Sequence, residues 1–351
     1  MRVSAQVSNT HTWLLFGVLA LAGAQNAACS GRFYSCDEVG PCSPESEDQA
    51  GGQLPRFESL GAATSARGLS ADGKVVVGVL DNAPARWTAE TGFQKLQALS
   101  EPIDQGAAVG VSADGSVVSG DAILANGVGA FRWNAEEGVV LLGTGATSRA
   151  TAVSADGSII AGDMYGPENP PQIHAFRWTG ASGAEDLLSL GTSGNVYGTS
   201  ADGNVLVGGW STAYEAFVWN KGGATRIGPG FASAVSADGT TVVGRTIDSA
   251  FRFDVVRSRS STFPLGALSG TEASGVSADG SVVVGNSTQG IWIWDATNGV
   301  RMLLDVLSSL GANTAGWTSL SIAAGGLSAD GRVVVGDGYL RDVYQGWIGR
   351  L

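Results

Sequence analysis

The residues best suited to chemistry in this chain are acidic side chains in irregular segments between predicted strands. Two placed carboxylates are enough to hydrolyse a glycosidic bond. Loops held on a rigid scaffold commonly carry function. The candidates are Asp121, Asp163, Glu168, Glu215, Asp248 and Asp337. The alternative is that they are solvated loop charges. The sequence does not show which of them lie close together. It therefore assigns no catalytic residue.

Histidine-dependent chemistry has little support. The only histidines are His11 and His174. The sequence contains no G-x-S-x-G segment to supply a nucleophilic serine and no D-x-[DN]-x-[DN]-G calcium loop. His174 is interpreted as the first residue of a strand motif. We expect no metal site and no cofactor.

Three aromatic residues depart from the repeat pattern described next: Tyr165, Trp210 and Tyr214. Exposed Trp and Tyr side chains stack on sugars or anchor a partner protein, so these three are the candidate binding residues. The alternative is that they pack between neighbouring structural units.

These candidates lie in an internal repeat, which fixes the architecture. The tetrapeptide Ser-Ala-Asp-Gly begins at residues 70, 112, 154, 200, 236, 277 and 328. In every copy another glycine follows five residues after the turn glycine: Gly78, Gly120, Gly162, Gly208, Gly244, Gly285 and Gly336. Seven equivalent aspartates favour a turn-forming role over catalysis, because Asp bonds the backbone two residues on.

Each repeat predicts four short strands. Asp-Gly between apolar segments is a strong hairpin signal, and the apolar run after it (residues 75–77 in the first copy) is typical of a strand buried on both faces. An aromatic strand follows, such as Ala-Phe-Arg-Trp at residues 130–133, and then a short apolar strand at residues 139–142. The recurrent glycine that closes the apolar run indicates backbone crowding. Four strands in roughly 42 residues match a propeller blade.

The two ends of the repeat region predict a closed ring. The last copy stops after Gly-Trp-Ile-Gly-Arg-Leu at residues 346–351, without a fourth strand, and an orphan strand stands at residues 56–61. Pairing the two removes the exposed sheet edges. We predict an all-β fold: a seven-bladed β-propeller over residues 56–351, closed by its N-terminal strand. A short helix is expected around residues 303–310, where leucines recur at helical spacing before Gly311.

The composition limits the partners. The chain has 351 residues, 53 of them glycine, and a formal net charge of −12. An acidic chain without a basic patch is a poor partner for nucleic acid or for an anionic membrane surface.

Residues 1–28 are predicted to be a signal peptide: Arg2 precedes an apolar core over residues 13–22, and small residues follow. Two cleavage sites compete. Residues 22–24 (Ala-Gly-Ala) fit an ordinary signal peptidase, whereas residues 26–29 (Asn-Ala-Ala-Cys) resemble a lipoprotein box with lipid on Cys29.

Residues 29–55 are predicted to be a disordered tether, because they are polar, acidic and rich in Gly and Pro. All three cysteines precede the repeats. If Cys29 is acylated, Cys36 and Cys42 remain as an even pair for a disulfide in an oxidising compartment; if cleavage follows Ala24, one thiol is left over.

The repeats resemble those of the bacterial extracellular HAF-repeat family, through the Ser-Ala-Asp-Gly copies, the aromatic strand, the literal His-Ala-Phe at residues 174–176 and the closing residues 346–351. The resemblance covers about five-sixths of the chain. It implies an exported bacterial protein with propeller-like repeats and says little about activity.

We therefore expect an exported, lipid-anchored binding or scaffold propeller without catalytic activity at the bacterial cell envelope. It is expected at the outer membrane, in the periplasm or at the cell surface, or else secreted. Its expected partner is an envelope protein or a glycan, and it contacts the membrane through the lipid alone. Two alternatives stay open: a carbohydrate-active hydrolase or lyase that uses loop carboxylates, and a structural or adhesion protein.

Overall fold

A computed structural model describes residues 56–97, 103–125, 127–144, 147–166, 172–187 and 193–351. The predicted signal peptide (1–28), the tether (29–55) and Cys29, Cys36 and Cys42 lie outside these ranges. The described residues form 28 strands and one helix. No helix within these ranges is long and apolar enough to cross a membrane.

The strands form seven antiparallel sheets of four strands each, which confirms the predicted seven-bladed propeller. Blade 1 contains β2 (Thr64–Leu69), β3 (Val75–Leu80), β4 (Ala83–Thr88) and β5 (Gly92–Lys95). Blade 2 contains β6 (Gly106–Val111), β7 (Val118–Leu124), β8 (Gly127–Asn134) and β9 (Gly138–Leu141). Blade 3 contains β10 (Ser148–Val153), β11 (Ile159–Tyr165), β12 (Ile173–Thr179) and β13 (Gly183–Asp186). Blade 4 contains β14 (Gly194–Thr199), β15 (Leu206–Trp210), β16 (Glu215–Asn220) and β17 (Gly223–Pro229).

The remaining blades follow the same order. Blade 5 contains β18 (Phe231–Val235), β19 (Thr241–Arg245), β20 (Ala250–Asp254) and β21 (Arg259–Thr262). Blade 6 contains β22 (Glu272–Val276), β23 (Val282–Ser287), β24 (Gly290–Asp295) and β25 (Gly299–Met302). Blade 7 contains β26 (Trp317–Leu327), β27 (Val333–Leu340) and β28 (Val343–Arg350), and its fourth strand is β1 (Phe57–Ala62).

The first strand closes the ring, as the sequence predicts. β1 pairs with β28 in antiparallel register, with Phe57 opposite Gly349. The Phe57 ring is buried and lies 5.4 Å from the Trp347 ring. β1 therefore covers the outer edge of β28.

The core lies between neighbouring blades. Val75 and Val77 of β3 share one apolar cluster with Val118 and Phe131 of the next blade. Because each second strand has a blade on either side, its side chains are buried on both faces, which explains the unbroken apolar runs in the sequence.

The Ser-Ala-Asp-Gly turns are hydrogen-bonded modules. In blade 1 the Ser70 hydroxyl donates to the Asp72 carboxylate at 2.7 Å and accepts the Val75 N–H at 2.9 Å. Gly73 has a φ of 72°, which L-residues with a Cβ rarely adopt. The seven turns are also joined by backbone N–H to carbonyl bonds, from Ala71 to Ala113, Ala113 to Ala155, Ala155 to Ala201, Ala201 to Ala237, Ala237 to Ala278, Ala278 to Ala329 and Ala329 to Ala71.

Backbone crowding explains the recurrent glycine, as the sequence predicts. A Cβ at Gly78 would overlap the carbonyl oxygen of Ser65 on the neighbouring innermost strand, and the other six glycines have an equivalent neighbour. The innermost strand bulges at the same place, between Ala66 and Gly68 in blade 1. The bulge turns one extra residue of each innermost strand towards the central channel.

Blade 7 departs most from the repeat. The predicted helix is present as α1 (Leu303–Ser309), with Leu303 and Leu307 buried, and Gly311 follows it with a φ of 85°. In β26, Ile322 pairs with Gly336 and Leu327 pairs with Val334, so the bulge there is longer than in the other blades.

Candidate functional site

The seven innermost strands surround a central channel. Its narrow part is a cavity of about 180 Å³, lined mainly by backbone and by small or apolar side chains such as Leu69, Val111, Val153 and Val235. No charged side chain of the described residues lines this part of the channel. The polar residues lie at the end opposite the Ser-Ala-Asp-Gly turns, which we call the channel mouth.

One repeat position builds much of the mouth: the residue directly after the recurrent glycine. In chain order it is Val79, Asp121, Asp163, Gly209, Arg245, Asn286 and Asp337. It lies in each second strand just past the recurrent glycine, next to the innermost strand of the following blade. The polar members therefore stand at the boundaries between blades.

Asp337 and Asn286 join two blades by hydrogen bonds. Asp337 accepts the Ala66 N–H at 2.7 Å and the Ser65 hydroxyl at 2.9 Å. Asn286 accepts the Ile322 N–H at 2.9 Å. Burial raises the pKa of Asp337, and these donors oppose that rise. The role of both side chains is structural.

Asp121 and Asp163 occupy the same repeat position but lack a hydrogen bond from the backbone of the next blade. Among the described residues, neither carboxylate accepts a backbone N–H of the next blade. Burial raises the pKa of Asp121, against the opposing effect of Arg149 and Arg67. Burial also raises the pKa of Asp163 to about 6, with Asn195 and Arg149 opposing the rise and the Asp121 charge adding to it. Two carboxyl groups of adjacent blades therefore influence each other at the mouth.

Two arginines on innermost strands stand between the carboxylates. Arg149 pairs directly with Asp163 across β10 and β11, so the two side chains are on the same side of the sheet. Arg67 acts on Asp121 and on Asp337, and its Nε donates to Ser65 at 3.1 Å. Within the described ranges neither guanidinium comes within ion-pair distance of these carboxylates.

From blade 7 to blade 3 the charges thus alternate around the mouth. We call this set the mouth ring: Asp337, Arg67, Asp121, Arg149 and Asp163. With all five groups ionised its net charge is −1, from three carboxylates and two guanidinium groups.

The other half of the mouth contains a cavity of about 250 Å³, lined by Tyr197, Phe231, Ser233, Arg245, Glu272, Ser274, Ile322 and Ala324. The Arg245 Nε lies 3.7 Å from a Glu272 carboxylate oxygen, and its guanidinium lies 5.3 Å from the Phe231 ring centroid. Tyr197 connects this cavity to the mouth ring: burial and the nearby Asp163 raise the pKa of its hydroxyl, and Arg245 opposes the rise.

The structure places the three predicted binding aromatics differently from one another. Tyr214 is half-buried at the mouth, 4.9 Å from the Phe231 ring. Trp210 is buried, and its ring lies 4.9 Å from Phe217 and 5.5 Å from the Arg226 guanidinium. Tyr165 is exposed at the end of β11 in blade 3. The three do not form one surface.

The predicted acidic candidates are also separated. Asp121, Asp163 and Asp337 lie inside second strands and not in loops, because pairing with the third strand continues past the recurrent glycine. Glu215 begins β16 and pairs with Arg226 at 2.7 Å. The last two are Asp248, which is in an exposed turn, and Glu168, which lies outside the described residues.

His174 has a structural environment. Its ring is buried, and Nδ1 lies 2.8 Å from a carboxylate oxygen of Asp186 on the neighbouring strand. Within the described residues no three His, Cys, Asp or Glu side chains cluster closely enough to hold a metal ion.

Reasoning from the sequence missed Arg67, Arg149 and Tyr197. Arg67 and Tyr197 stand three residues before the Ser of a Ser-Ala-Asp-Gly copy. The seven residues at this position are Arg67, Val109, Thr151, Tyr197, Ser233, Ser274 and Gly325. A position that varies inside an otherwise regular repeat was the available signal, because the bulge turns it towards the channel.

Comparisons with known proteins assign the chain to no family. No family model matches the chain, and no curated protein matches it. Among solved structures, a chain described as a TolB of Agrobacterium tumefaciens is similar over 83% of this chain and 91% of its own length, with 14% identity and a TM-score of 0.46.

Proposed function

We propose that this protein is an exported, lipid-anchored binding propeller of the bacterial cell envelope, and that it captures its ligand at the channel mouth. The main support is a difference in hydrogen bonding among the aspartates that follow the recurrent glycine. Asp337 is held by two donors of the next blade, whereas Asp121 and Asp163 lie near arginines without the equivalent backbone bond.

Charged groups that the fold holds only in part point to recognition: Asp163 has the Asn195 side chain as a partner, and Asp121 has the charges of Arg149 and Arg67. Desolvating a carboxylate is unfavourable unless a partner compensates, and perturbed pKa values cluster at functional sites. The symmetric scaffold holds these groups on strands, so their positions are fixed before a ligand arrives. Binding then requires little ordering of the protein.

Export and anchoring rest on the sequence before the propeller. Residues 1–28 have the pattern of a signal peptide, Cys29 follows a lipoprotein-like box, and the resemblance to the extracellular HAF-repeat family agrees with export. Cys29→Ser should release the protein from the membrane fraction, and Cys36→Ser is the matched control. Unchanged fractionation of Cys29→Ser contradicts the lipid anchor.

Binding at the mouth is tested by a thermal-shift screen of the full-length protein against envelope glycans and envelope protein fractions. A ligand at 100 times its Kd stabilises the folded state by about 2.7 kcal/mol. The Asp121→Asn/Asp163→Asn double variant should lose the shift, and Glu90→Gln in an exposed turn should keep it. A shift that survives in the double variant places the binding site elsewhere.

One observation favours a second candidate, a carbohydrate-active hydrolase or lyase. With a pKa of about 6, Asp163 holds a proton closer to neutral pH than an ordinary aspartic acid, and Asp121 is near enough to affect it. A proton-holding carboxyl beside a second carboxyl is the arrangement that a general acid needs. Turnover of a glycan by the wild type, lost in both Asp163→Asn and Asp121→Asn, would establish this activity.

A further inference from the structure

We infer that the ligand at the channel mouth is a neutral sugar residue of a glycan. This inference rests on the proposed binding function and narrows it to one chemical class. Three properties of the mouth support it: the alternation of donors and acceptors, the balance of charge, and an aromatic wall beside the ring.

The alternating acceptors and donors of the mouth ring match the hydroxyl groups of a sugar. An ionised aspartate only accepts hydrogen bonds, and an arginine only donates them. Along the mouth ring the two kinds of group alternate, from Asp121 through Arg149 to Asp163. A hydroxyl both donates and accepts, so neighbouring hydroxyls of one sugar ring can bond a carboxylate and a guanidinium at the same time.

The charge balance disfavours ionic ligands. A cation at the mouth meets Arg67 and Arg149, and an anion meets Asp121 and Asp163. The net charge of the mouth ring is only −1 with all five groups ionised, so neither sign of ligand charge is strongly attracted. A neutral ligand avoids these repulsions and loses no charge solvation on entering.

The aromatic wall supplies the apolar contact. Tyr197 is 37% exposed and lies between Asp163 and the cavity of about 250 Å³. Behind it, Phe231 is fixed by Tyr214 at 4.9 Å and by Arg245 at 5.3 Å. The Tyr197 ring meets Phe231 edge-to-face with centroids 6.3 Å apart, and a tyrosine face held in this way suits the C–H side of a sugar ring. Since ligand pockets for drug-sized molecules span roughly 300–1,000 Å³, this cavity admits about one ring, and the rest of a glycan must lie outside the mouth.

The test titrates the full-length protein, followed by calorimetry, with three classes of probe. The neutral probes are oligosaccharides of glucose, galactose and N-acetylglucosamine. The charged probes are a sulfated oligosaccharide and an oligolysine of similar length. We expect at least one neutral oligosaccharide to bind, and the charged probes to bind at least tenfold more weakly or not at all.

Variants locate the site. Tyr197→Ala and the Asp121→Asn/Asp163→Asn double variant should each weaken binding of the neutral oligosaccharide at least tenfold. Tyr197→Phe should keep most of the affinity, because the ring face remains. Glu90→Gln is the matched control, and circular dichroism melts confirm that each variant is folded.

The outcomes separate the inference from the proposed function. Binding of a charged probe that the double variant abolishes, with no neutral sugar bound, overturns the sugar inference and leaves the binding function standing. Neutral-sugar binding that the mouth variants do not change overturns the inference as well. If no probe binds and envelope protein fractions also give no shift, the proposed function itself fails.

Discussion

The backbone N–H of Ala329 donates to the carbonyl oxygen of Ala71 at 3.0 Å, which joins the last Ser-Ala-Asp-Gly turn to the first. The bond is the seventh of a closed cycle, and it lies on the face opposite the channel mouth. At the perimeter, the pairing of β1 with β28 closes the same ring a second time. Closure thus has an inner and an outer component, and each is open to experiment.

The outer closure depends on Phe57. Removing its buried ring takes away contacts with Trp347 and Trp317. Phe57→Ala should lower the free energy of unfolding by about 3–5 kcal/mol, measured by urea denaturation of the full chain. Glu58→Gln is the control, since loss of its ion pair with Arg350 should cost about 1 kcal/mol or less. A chain that starts at Ala62 and melts like one that starts at Arg56 would contradict closure by β1.

The recurrent glycines should be irreplaceable. At Gly78 a Cβ would overlap the Ser65 carbonyl oxygen on the neighbouring strand, and backbone there cannot move without breaking the pairing. Gly78→Ala should destabilise by about 3 kcal/mol or more, the upper range for overpacking. At Gly180 the nearest atom to a new Cβ is 3.9 Å away, so Gly180→Ala should stay within about 0.5 kcal/mol of the wild type. Equal thermal midpoints for the two variants would refute the crowding explanation.

A buried hydroxyl offers a stabilising substitution. Ser119 is fully buried, and its Oγ has no hydrogen-bond partner within the described residues. Val77 and Ala161 stand at the equivalent position of neighbouring blades. Ser119→Ala should raise the free energy of unfolding by about 1 kcal/mol, because an unsatisfied buried polar group costs about 1–3 kcal/mol. A lower urea midpoint for Ser119→Ala would mean that the hydroxyl has a partner after all.

Asp163 should make the fold less stable as the pH rises. Because its pKa is raised from 3.8 to about 6, the folded state disfavours the carboxylate form. This group's stability contribution is complete below about pH 4 and is lost as the pH passes about 6. Asp163→Asn should therefore match the wild type at pH 4 and exceed it at pH 7. The gain should be on the order of 1–2 kcal/mol, since each pH unit corresponds to about 1.4 kcal/mol and solvent screens part of it.

The readout is the urea midpoint of both proteins at pH 4, 5, 6 and 7. Asp248→Asn in an exposed turn serves as the control and should run parallel to the wild type. A constant difference between Asp163→Asn and wild type at all four pH values would rule out titration of Asp163 as the cause.

The turn aspartates should have the opposite effect to Asp163: they should make the fold less stable as the pH falls. Bonds from the Ser112 hydroxyl and the Ser116 N–H lower the pKa of Asp114 to about 2, and bonds from Ser154 lower the pKa of Asp156 in the next copy. Stability from such groups is present above about pH 4 and is lost as the pH falls towards 2. Asp156→Asn should cost about 1 kcal/mol at pH 7, because its bonds become neutral ones, and should leave ligand binding unchanged. The cost should shrink as the pH falls below about 4, because the pKa of Asp156 is lowered in the folded state. A loss of binding at pH 7 would overturn the turn assignment.

Much of the fold could be predicted from the sequence, because each blade repeats the same local signals. The Asp-Gly turn, the apolar run and the recurrent glycine define one blade, and the orphan strand at Phe57 predicts the closure. The leucines of α1 and Gly311 after it marked the one helix of the described residues.

The site could be predicted only in part. Asp121 and Asp337 both follow the recurrent glycine, so the sequence presents them as equivalent. They differ through their neighbours on the next blade, which are Arg149 in one case and Ser65 with the Ala66 N–H in the other. That comparison needs the strand register between blades. The direction of Arg67 and Tyr197 likewise depends on a bulge, which pairing creates and composition does not reveal.

The position of β1 also determines when the ring can close during folding. Phe57 and its partner Gly349 are about 290 residues apart in the chain. Blades 1 to 6 are each built from one contiguous segment, whereas β1 has no partner until β28 is available. Until β28 arrives, the nascent ring has two open edges, both able to pair with another chain. A ring in which β28 fails to reach β1 therefore keeps an edge that can pair with another molecule, so incomplete closure favours aggregation.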